Sequence, residues 1–293
     1  MRRWHLTQPE LMAELRTFLI LGRVAHLPTV WSNCLAGWLL SGGGHPAVLL
    51  VLCAGASCFY LGGMYLNDAC DAGYDRVHRR ERPIPSGEIE LPTVLLMSVG
   101  WFLIGLLLLV ALGKAAAIFS VLLLGNIILF NLFHRIIPLS PVLLAGCRFL
   151  LYLIAGAAAA DGLSGLTIWG GLVLGAYVTG VSYLLRKESA PAVLRHWICA
   201  LLAVPVVLAI EVNGPGYRWT ASMLSLMLIV WSLWSLRYTY GVAHRNIGHT
   251  VAGLWAGVVL VDLLAVAGSS YLSFVFLLWF AATLLFQRVT PAA

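Results

Sequence analysis

Four polar side chains with helical spacing stand between long apolar stretches of the sequence: Asn67, Asp68, Asp71 and Asp75. On an α-helix with 3.6 residues per turn they fall within an arc of about 100°. Carboxylates this close together repel each other, and they are costly at a membrane boundary unless a cation compensates them. Hard oxygen ligands suit Mg²⁺, which typically binds one or two carboxylates, its own waters and substrate phosphates. The spacing therefore indicates a site for Mg²⁺ and phosphate.

The segment that follows supplies positive charge and a rigid turn. It contains Arg76, Arg79, Arg80 and Arg82, and then the sequence PIPSG at residues 83–87. Arginines hold phosphate oxygens singly or in bidentate pairs, and prolines fix φ in a turn. Acids that hold a metal, beside arginines that hold phosphate and next to an apolar cavity, describe a site for a diphosphate with an apolar tail. The other interpretation is a cytoplasmic loop whose basic residues anchor the helices, with the acids as counter-ions.

The composition determines which elements position these residues. Of 293 residues, 61% are hydrophobic and 10% are charged, whereas soluble domains have about 25% charged residues. Successive apolar runs of about 20 residues are long enough to cross a membrane. We therefore predict an all-α, polytopic membrane bundle of nine or ten transmembrane helices. The runs lie near residues 17–41, 46–69, 92–112, 115–134, 140–160, 166–185, 194–211, 219–238, 247–267 and 271–287.

Loop charges predict the orientation. Arg and Lys are concentrated in alternate connections, at residues 76–82, 135, 186–195 and 237–245, while the opposite loops hold little beyond Lys114. Because short cytoplasmic loops are rich in Arg and Lys, both termini are predicted to be cytoplasmic, most simply in a bacterial inner membrane. The polar turns then share one side, where a cavity between helices can use them together.

Three charged residues interrupt otherwise apolar runs: Arg23, Arg148 and Asp262. Charged residues in such positions usually face the interior of a bundle and pair or bind something. We predict that Arg23 and Arg148 line the site, with snorkelling towards the cytoplasm as the alternative. Asp262 is either a general base or a structural partner for an interior arginine, and we favour the partner because it lies far from the basic turn.

The acidic motif resembles that of a known family. Residues 67–75 (NDxxDxxxD) and 82–87 (RPIPSG) resemble the first aspartate-rich motif of the UbiA superfamily of intramembrane prenyltransferases. Residues 146–152 resemble the fifth helix of that family. Residues 22–33, which end in Asn33, are most similar to the EboC-like subgroup. The resemblance extends across the chain and implies a single integral-membrane prenyltransferase-like domain at residues 1–293.

The resemblance also implies a reaction. Family members transfer a polyprenyl group from its diphosphate to an acceptor, often aromatic, with Mg²⁺. Asn67, Asp71 and Asp75 match the residues that hold Mg²⁺ and diphosphate, and Asp68 belongs to the same catalytic motif. The implied partners are a prenyl diphosphate, an unidentified acceptor and membrane lipids, with no nucleic acid. The predicted diphosphate-binding side chains are Arg23, Arg82, Arg148, Arg186 and Lys187, and those predicted to line the acceptor site are Asn33, Tyr177, Thr179 and Tyr183.

The sequence departs from the family pattern after the sixth helix. A second aspartate-rich motif is usual there, but residues 177–189 contain no aspartate, and Glu188 is the one acid. Arg186 and Lys187 could replace a second cation and contact the diphosphate directly. Alternatively, the protein is a non-catalytic lipid- or metabolite-binding or transport protein on the same scaffold. Simple anchoring by these two basic residues is a third possibility.

Overall fold

The computed structural model describes residues 16–186, 198–212, 218–240, 246–267 and 270–289, and within these ranges every regular element is helical. A short helix α1 (residues 16–21) and a 3₁₀ turn (Val24–His26) precede the main bundle. The other helices are α2 (Leu27–Leu39), α3 (Pro46–His78), α4 (Pro83–Ser86), α5 (Leu91–Val110), α6 (Lys114–Phe133), α7 (Ser140–Ala157), α8 (Gly165–Arg186), α9 (Ile198–Val212), α10 (Arg218–Tyr240), α11 (Ile247–Ala265) and α12 (Ser270–Val289).

Seven of the described helices are long and apolar enough to cross a membrane: α3, α5, α6, α7, α8, α10 and α11. Two shorter apolar segments, Ala200–Ala209 in α9 and Leu272–Arg288 in α12, occupy two further predicted runs. The all-α membrane bundle is therefore confirmed, and the chain is an integral membrane protein. The predicted total of nine or ten spanning helices stays a prediction.

The first predicted span, residues 17–41, is wrong as a single helix. Helix α1 ends before Arg23, whose φ of 43° and ψ of 46° are left-handed. This conformation breaks the run of helical hydrogen bonds, and the chain restarts through the 3₁₀ turn into α2, with Pro28 in the first turn of that helix. Proline is tolerated there because backbone N–H groups in the first turn of a helix have no partner within the helix. The N–H that proline lacks therefore costs no helical hydrogen bond. The break places Arg23 at a corner instead of along a helix face.

Helix α3 continues beyond its predicted apolar run. Its 33 residues run to His78, which corresponds to about 50 Å against a hydrocarbon core of about 30 Å. The predicted span ended at residue 69. The acidic motif therefore lies on a continuous extension of a membrane helix, as the helical spacing required.

Helix α11 lies at the centre of one half of the bundle, where it packs against α2, α8, α10 and α12. In the other half, α3 packs against α5 and α6, and α7 joins the halves by contacting α2, α6 and α8. Leucines on α5 such as Leu96 and Leu107 are more than 70% exposed, as expected of side chains that face lipid. Buried polar or charged residues lie on α2, α3, α7 and α11.

Candidate functional site

The four polar residues of the acidic motif lie on the last turns of α3 and are all buried: Asn67, Asp68, Asp71 and Asp75. The predicted helical arc is therefore present. Buried carboxylates need compensating charge, and each of these three acids has a cationic side chain beside it.

Two arginines converge on the acids from different elements. From the corner between α1 and α2, Arg23 Nη2 donates to Asp68 Oδ1 at 2.9 Å and to Asn67 Oδ1 at 3.1 Å. From the residue before α4, Arg82 Nη1 donates to Asp75 Oδ2 at 2.9 Å and to Asp68 Oδ1 at 3.3 Å. Asp68 is thus shared between both guanidinium groups. The structure brings these two predicted phosphate-binding arginines to the acidic motif.

The third acid is paired by a turn that the sequence analysis did not include among the site residues. Arg135 Nε donates to Asp71 Oδ1 at 2.6 Å, and His134 Nε2 lies 3.2 Å from the same oxygen. The Arg135 guanidinium also covers the ring of Tyr74, with Cζ 3.7 Å from the centroid. The hydrogen bond to Asp71 raises the pKa of Arg135, so this arginine stays charged. The signal that could have found it is its position, since it is the arginine of the turn between α6 and α7, which the loop charges predict to lie on the same side as the acidic motif.

One oxygen of the acidic motif suits a cation. Asp75 Oδ1 is buried and has no hydrogen-bond partner among the described residues. An orphaned carboxylate oxygen of this kind is a good ligand for Mg²⁺. Within the described ranges, no three His, Cys, Asp or Glu side chains are grouped as a complete metal site. The residues therefore fit a cation held by one or two carboxylates, with substrate oxygens completing its shell.

Arg148 lies deeper in the bundle, on α7, and its side chain is buried. Its Nη1 donates to the backbone oxygen of Thr29 at 3.0 Å and to Asn33 Oδ1 at 2.6 Å, and its Nη2 donates to Thr29 Oγ1 at 2.9 Å. The guanidinium Cζ is 5.5 Å from the ring centroid of Trp255 on α11. Arg148 therefore faces the interior, as predicted, but its described hydrogen bonds go to α2 and not to the acidic motif.

Asp262 on α11 is the acid of this interior network. Its Oδ2 accepts from Ser32 Oγ at 2.5 Å and from Asn33 Nδ2 at 2.6 Å, and its Oδ1 accepts from Tyr152 Oη at 2.6 Å. The carboxylate has no solvent exposure. Asn33 stands between Asp262 and Arg148, so the expected partnership with an interior arginine runs through an amide instead of a direct ion pair.

His26 is a further residue that the sequence analysis did not include among the site residues. It ends the 3₁₀ turn, is 8% exposed, and its Nδ1 has no hydrogen-bond partner in the described structure. Its ring lies edge-on to Trp255 with centroids 6.0 Å apart. A single histidine is not part of any periodic pattern in the sequence, so the sequence does not predict its role. In the structure it follows Arg23 in the chain and contacts Trp255, the ring that also lies near Arg148.

Three of the residues predicted to line the acceptor site lie on α8, and the fourth, Asn33, lies on α2. Asn33 and Tyr177 have no solvent exposure, and Tyr177 Oη donates to the backbone oxygen of Leu254 at 2.9 Å. Thr179 Oγ1 donates to the backbone oxygen of Gly175 at 2.8 Å, and Tyr183 is half-buried against the core. Their role towards an acceptor stays a prediction.

The two basic residues predicted opposite the acids fall at the edge of the described structure. Arg186 is the last residue of α8, and its side chain is outside the described structure, as is the whole of Lys187. Their predicted contact with a diphosphate is therefore not tested by the geometry.

Comparisons with known proteins agree with this architecture. A model described as the UbiA prenyltransferase family matches residues 28–246. A structure reported for digeranylgeranylglyceryl phosphate synthase in membranes is similar in fold, with a TM-score of 0.59 and 16% identity over 93% of this chain and 99% of the other. The apo structure of a UbiA homolog from Aeropyrum pernix K1 has a TM-score of 0.57 and 18% identity, over 90% and 96% of the two chains. No curated protein sequence matches the chain.

Proposed function

The chain belongs to the UbiA prenyltransferase family, and on that premise we propose that it transfers a prenyl group from its diphosphate to a small aromatic or lipid-like acceptor within the membrane. The observation that carries the proposal is the alternation of buried acids and arginines at one end of an apolar bundle. Asp68 accepts from both Arg23 and Arg82, so two guanidinium groups converge on the motif that, in this proposal, holds the diphosphate. The EboC-like subgroup stays a prediction.

In this proposal Asn67, Asp71 and Asp75 hold Mg²⁺ with the diphosphate. The orphaned Oδ1 of Asp75 supports the assignment, because a buried carboxylate oxygen without a partner is costly unless something binds it. When bound, the ion would neutralise negative charge on the leaving diphosphate. Asp68 would act differently from the other acids, by holding Arg23 and Arg82 in place.

The arginines would act on the leaving group. As the bond between the prenyl C1 and the diphosphate oxygen breaks, negative charge accumulates on the diphosphate, and Arg23 and Arg82 are placed to neutralise it. Their donors need not travel far, since both are already held at the acidic motif. The acceptor then forms a bond to C1 and loses a proton. Arg148, and Arg186 or Lys187, would assist as further positive charges.

The apolar bundle would protect the reaction from water. An allylic cation formed at C1 reacts with any water that reaches it, so exclusion of solvent favours transfer over hydrolysis. The buried aliphatic and aromatic side chains of α2, α3, α7 and α11 form a continuous core below the acidic motif. In our proposal the site opens on the cytoplasmic side of a bacterial inner membrane, with both termini cytoplasmic.

The test is diphosphate release by the purified protein. Radiolabelled prenyl diphosphates of several lengths would be supplied with a panel of aromatic acceptors, in Mg²⁺ or in EDTA. We expect release that requires Mg²⁺ and disappears in Asp71→Ala. The matched control is Glu81→Ala, which removes an exposed acid from the adjacent turn and should leave release unchanged.

The outcomes separate the two function classes. Release that persists in both EDTA and Asp71→Ala would contradict the proposal. Mg²⁺-dependent binding of prenyl diphosphate without any release, even to water, would favour the non-catalytic lipid- or metabolite-binding protein. Thermal unfolding of each variant in detergent establishes that a loss of release is not a loss of fold.

A further inference from the structure

We propose that Asp262 is a positioning residue that orients the Asn33 amide and, through it, holds the Arg148 guanidinium ready for a substrate oxygen. The proposal rests on the proposed function, since it assigns Arg148 a ligand in the prenyl-transfer site. The evidence is the set of hydrogen bonds that links Asp262, the one acid of α11, to Arg148 through Asn33.

The orientation of the Asn33 amide follows from the chemistry of its two neighbours. An ionised carboxylate only accepts hydrogen bonds, and a guanidinium only donates them. Asn33 Nδ2 must therefore face Asp262, at 2.6 Å, and Asn33 Oδ1 must face Arg148, also at 2.6 Å. The reversed amide would set NH₂ against guanidinium and carbonyl against carboxylate. Asp262 and Arg148 thus favour the same orientation of the amide, and Asp262 holds its nitrogen end in place.

Asp262 is held firmly enough to serve this purpose. It accepts from Ser32 on α2 and from Tyr152 on α7 as well as from Asn33, and it has no exposed surface. With three donors around two oxygens, and no route to solvent, it is not placed to touch a substrate. These contacts exclude the general-base alternative for Asp262 in this arrangement and leave an indirect role.

Arg148 has donors to spare. A guanidinium carries five N–H groups, and the described contacts of Arg148 use three, two on Thr29 and one on Asn33. Its ring partner Trp255 lies within cation–π distance on one face. Nearby, the ring of His26 contacts the same Trp255 and has an unpartnered nitrogen. The remaining donors of Arg148 are therefore available to a negatively charged or strongly polar oxygen.

The experiment measures binding of S-thiolo analogues of prenyl diphosphates, in several chain lengths, to the full chain in detergent. We expect Arg148→Gln to weaken binding about tenfold, as for loss of a charge-assisted hydrogen bond. Asp262→Asn removes the acceptor-only carboxylate that holds the Asn33 amide nitrogen, so it should weaken binding by a similar factor. The double variant Arg148→Gln with Asp262→Asn should bind no more weakly than Arg148→Gln alone, because Asp262 acts through Arg148.

A transposed pair provides the rescue. In Asn33→Asp with Asp262→Asn, the carboxylate moves next to Arg148 and the amide takes the place of the acid, so the number of charges is unchanged. We expect this pair to recover most of the wild-type affinity. Thr167→Val is the matched control, because it removes a buried hydroxyl that bonds Ser41 and Ser164 elsewhere in the bundle. It should lower the unfolding temperature without weakening binding.

The results separate this inference from the function on which it rests. If the wild-type chain binds none of the analogues, the proposed function fails and this inference fails with it. If the wild type binds, the inference alone is overturned by any of three results: Arg148→Gln binds normally, Asp262→Asn binds normally, or the losses in the double variant add. A rescue by the transposed pair, with the control unaffected, supports it.

Discussion

Arg23 donates to Asp68 at 2.9 Å from a left-handed backbone conformation, with φ at 43°. Such a conformation costs a non-glycine residue about 1–2 kcal/mol. It is stabilised by three contacts with α3: the two hydrogen bonds of the guanidinium, to Asp68 and Asn67, and a hydrogen bond from Tyr60 Oη to the Arg23 carbonyl at 3.1 Å. The contacts with α3 thus offset the backbone strain at Arg23, and the strained corner places a charged side chain beside the acidic motif.

Two substitutions of Arg23 separate the effect of its backbone conformation on stability from the effect of its side-chain contacts. Arg23→Ala and Arg23→Gly both lose the contacts with Asp68, but only alanine keeps a Cβ in the left-handed region. We expect Arg23→Gly to be more stable than Arg23→Ala by about 1 kcal/mol, and both to bind prenyl diphosphate more weakly than wild type. Chemical unfolding in detergent measures the difference. A more stable alanine variant would contradict the strain argument.

Arg82 and Arg135 should differ in their importance for stability. The Arg82 side chain is 13% exposed and serves two buried acids, whereas the Arg135 side chain is 37% exposed and shares Asp71 with His134. We expect Arg82→Met to lower the free energy of unfolding by about 3 kcal/mol or more, since it leaves the buried carboxylate of Asp75 without a cation, whereas Asp68 keeps Arg23. Arg135→Met should cost about 1 kcal/mol or less.

Mg²⁺ provides a second measurement on the same variants. If a cation occupies the acidic motif, it should substitute in part for the missing guanidinium. We therefore expect Mg²⁺ to raise the unfolding temperature of Arg82→Met more than that of the wild type, and Na⁺ at equal ionic strength serves as the control. An equal response of the two proteins would argue against a cation at Asp75.

Close packing of α3 on α5 depends on a glycine contact. A Cβ on Gly105 would lie 2.6 Å from Phe59 Cδ1 and 3.0 Å from the Gly55 carbonyl oxygen, whereas a Cβ on Gly100 of the same helix meets nothing within 4 Å. We expect Gly105→Ala to destabilise the protein by about 1–3 kcal/mol because the helices must separate. Gly100→Ala should be neutral or stabilising by up to about 1 kcal/mol. Similar losses in both would show that packing is not the cause.

The orientation of the bundle can be tested with two single cysteines. Arg80 and Lys114 are both exposed, and they lie at opposite ends of the bundle because α5 crosses between them. We expect a membrane-impermeant maleimide to label Arg80→Cys in inverted membrane vesicles and Lys114→Cys in spheroplasts, above the labelling of the parent protein. The reverse pattern would place the acidic motif on the periplasmic side.

Much of the fold was predictable because membrane helices leave a strong local signal. Runs of apolar residues placed the helices well, and the spacing of the acids on α3 predicted their shared face. The exceptions have local causes that hydropathy does not record. The first apolar run breaks at Arg23 because of a backbone conformation, and α3 extends past its apolar run to His78, as the helical spacing of the acids indicated.

The partners of the buried charges were less predictable. Asp262 bonds Ser32 and Asn33, which are 230 and 229 residues away in sequence, and Arg135 reaches Asp71 across 64 residues. Nothing in the pattern of either segment specifies the other. The predicted partner of Asp262 was an arginine, and the intervening Asn33 became evident only when α2, α7 and α11 were seen together.

The sequence alone predicted the class of protein, the helical arc of the acids and the family. Each of these depends on composition or on residue spacing along the chain. The tertiary structure determined which cation meets which acid, and that Arg148 is held by α2 instead of by the acidic motif. The physical reason is that helices in an apolar solvent pack by the fit of their surfaces and by the hydrogen bonds that buried polar groups must find. Those partners exist only once the helices have come together.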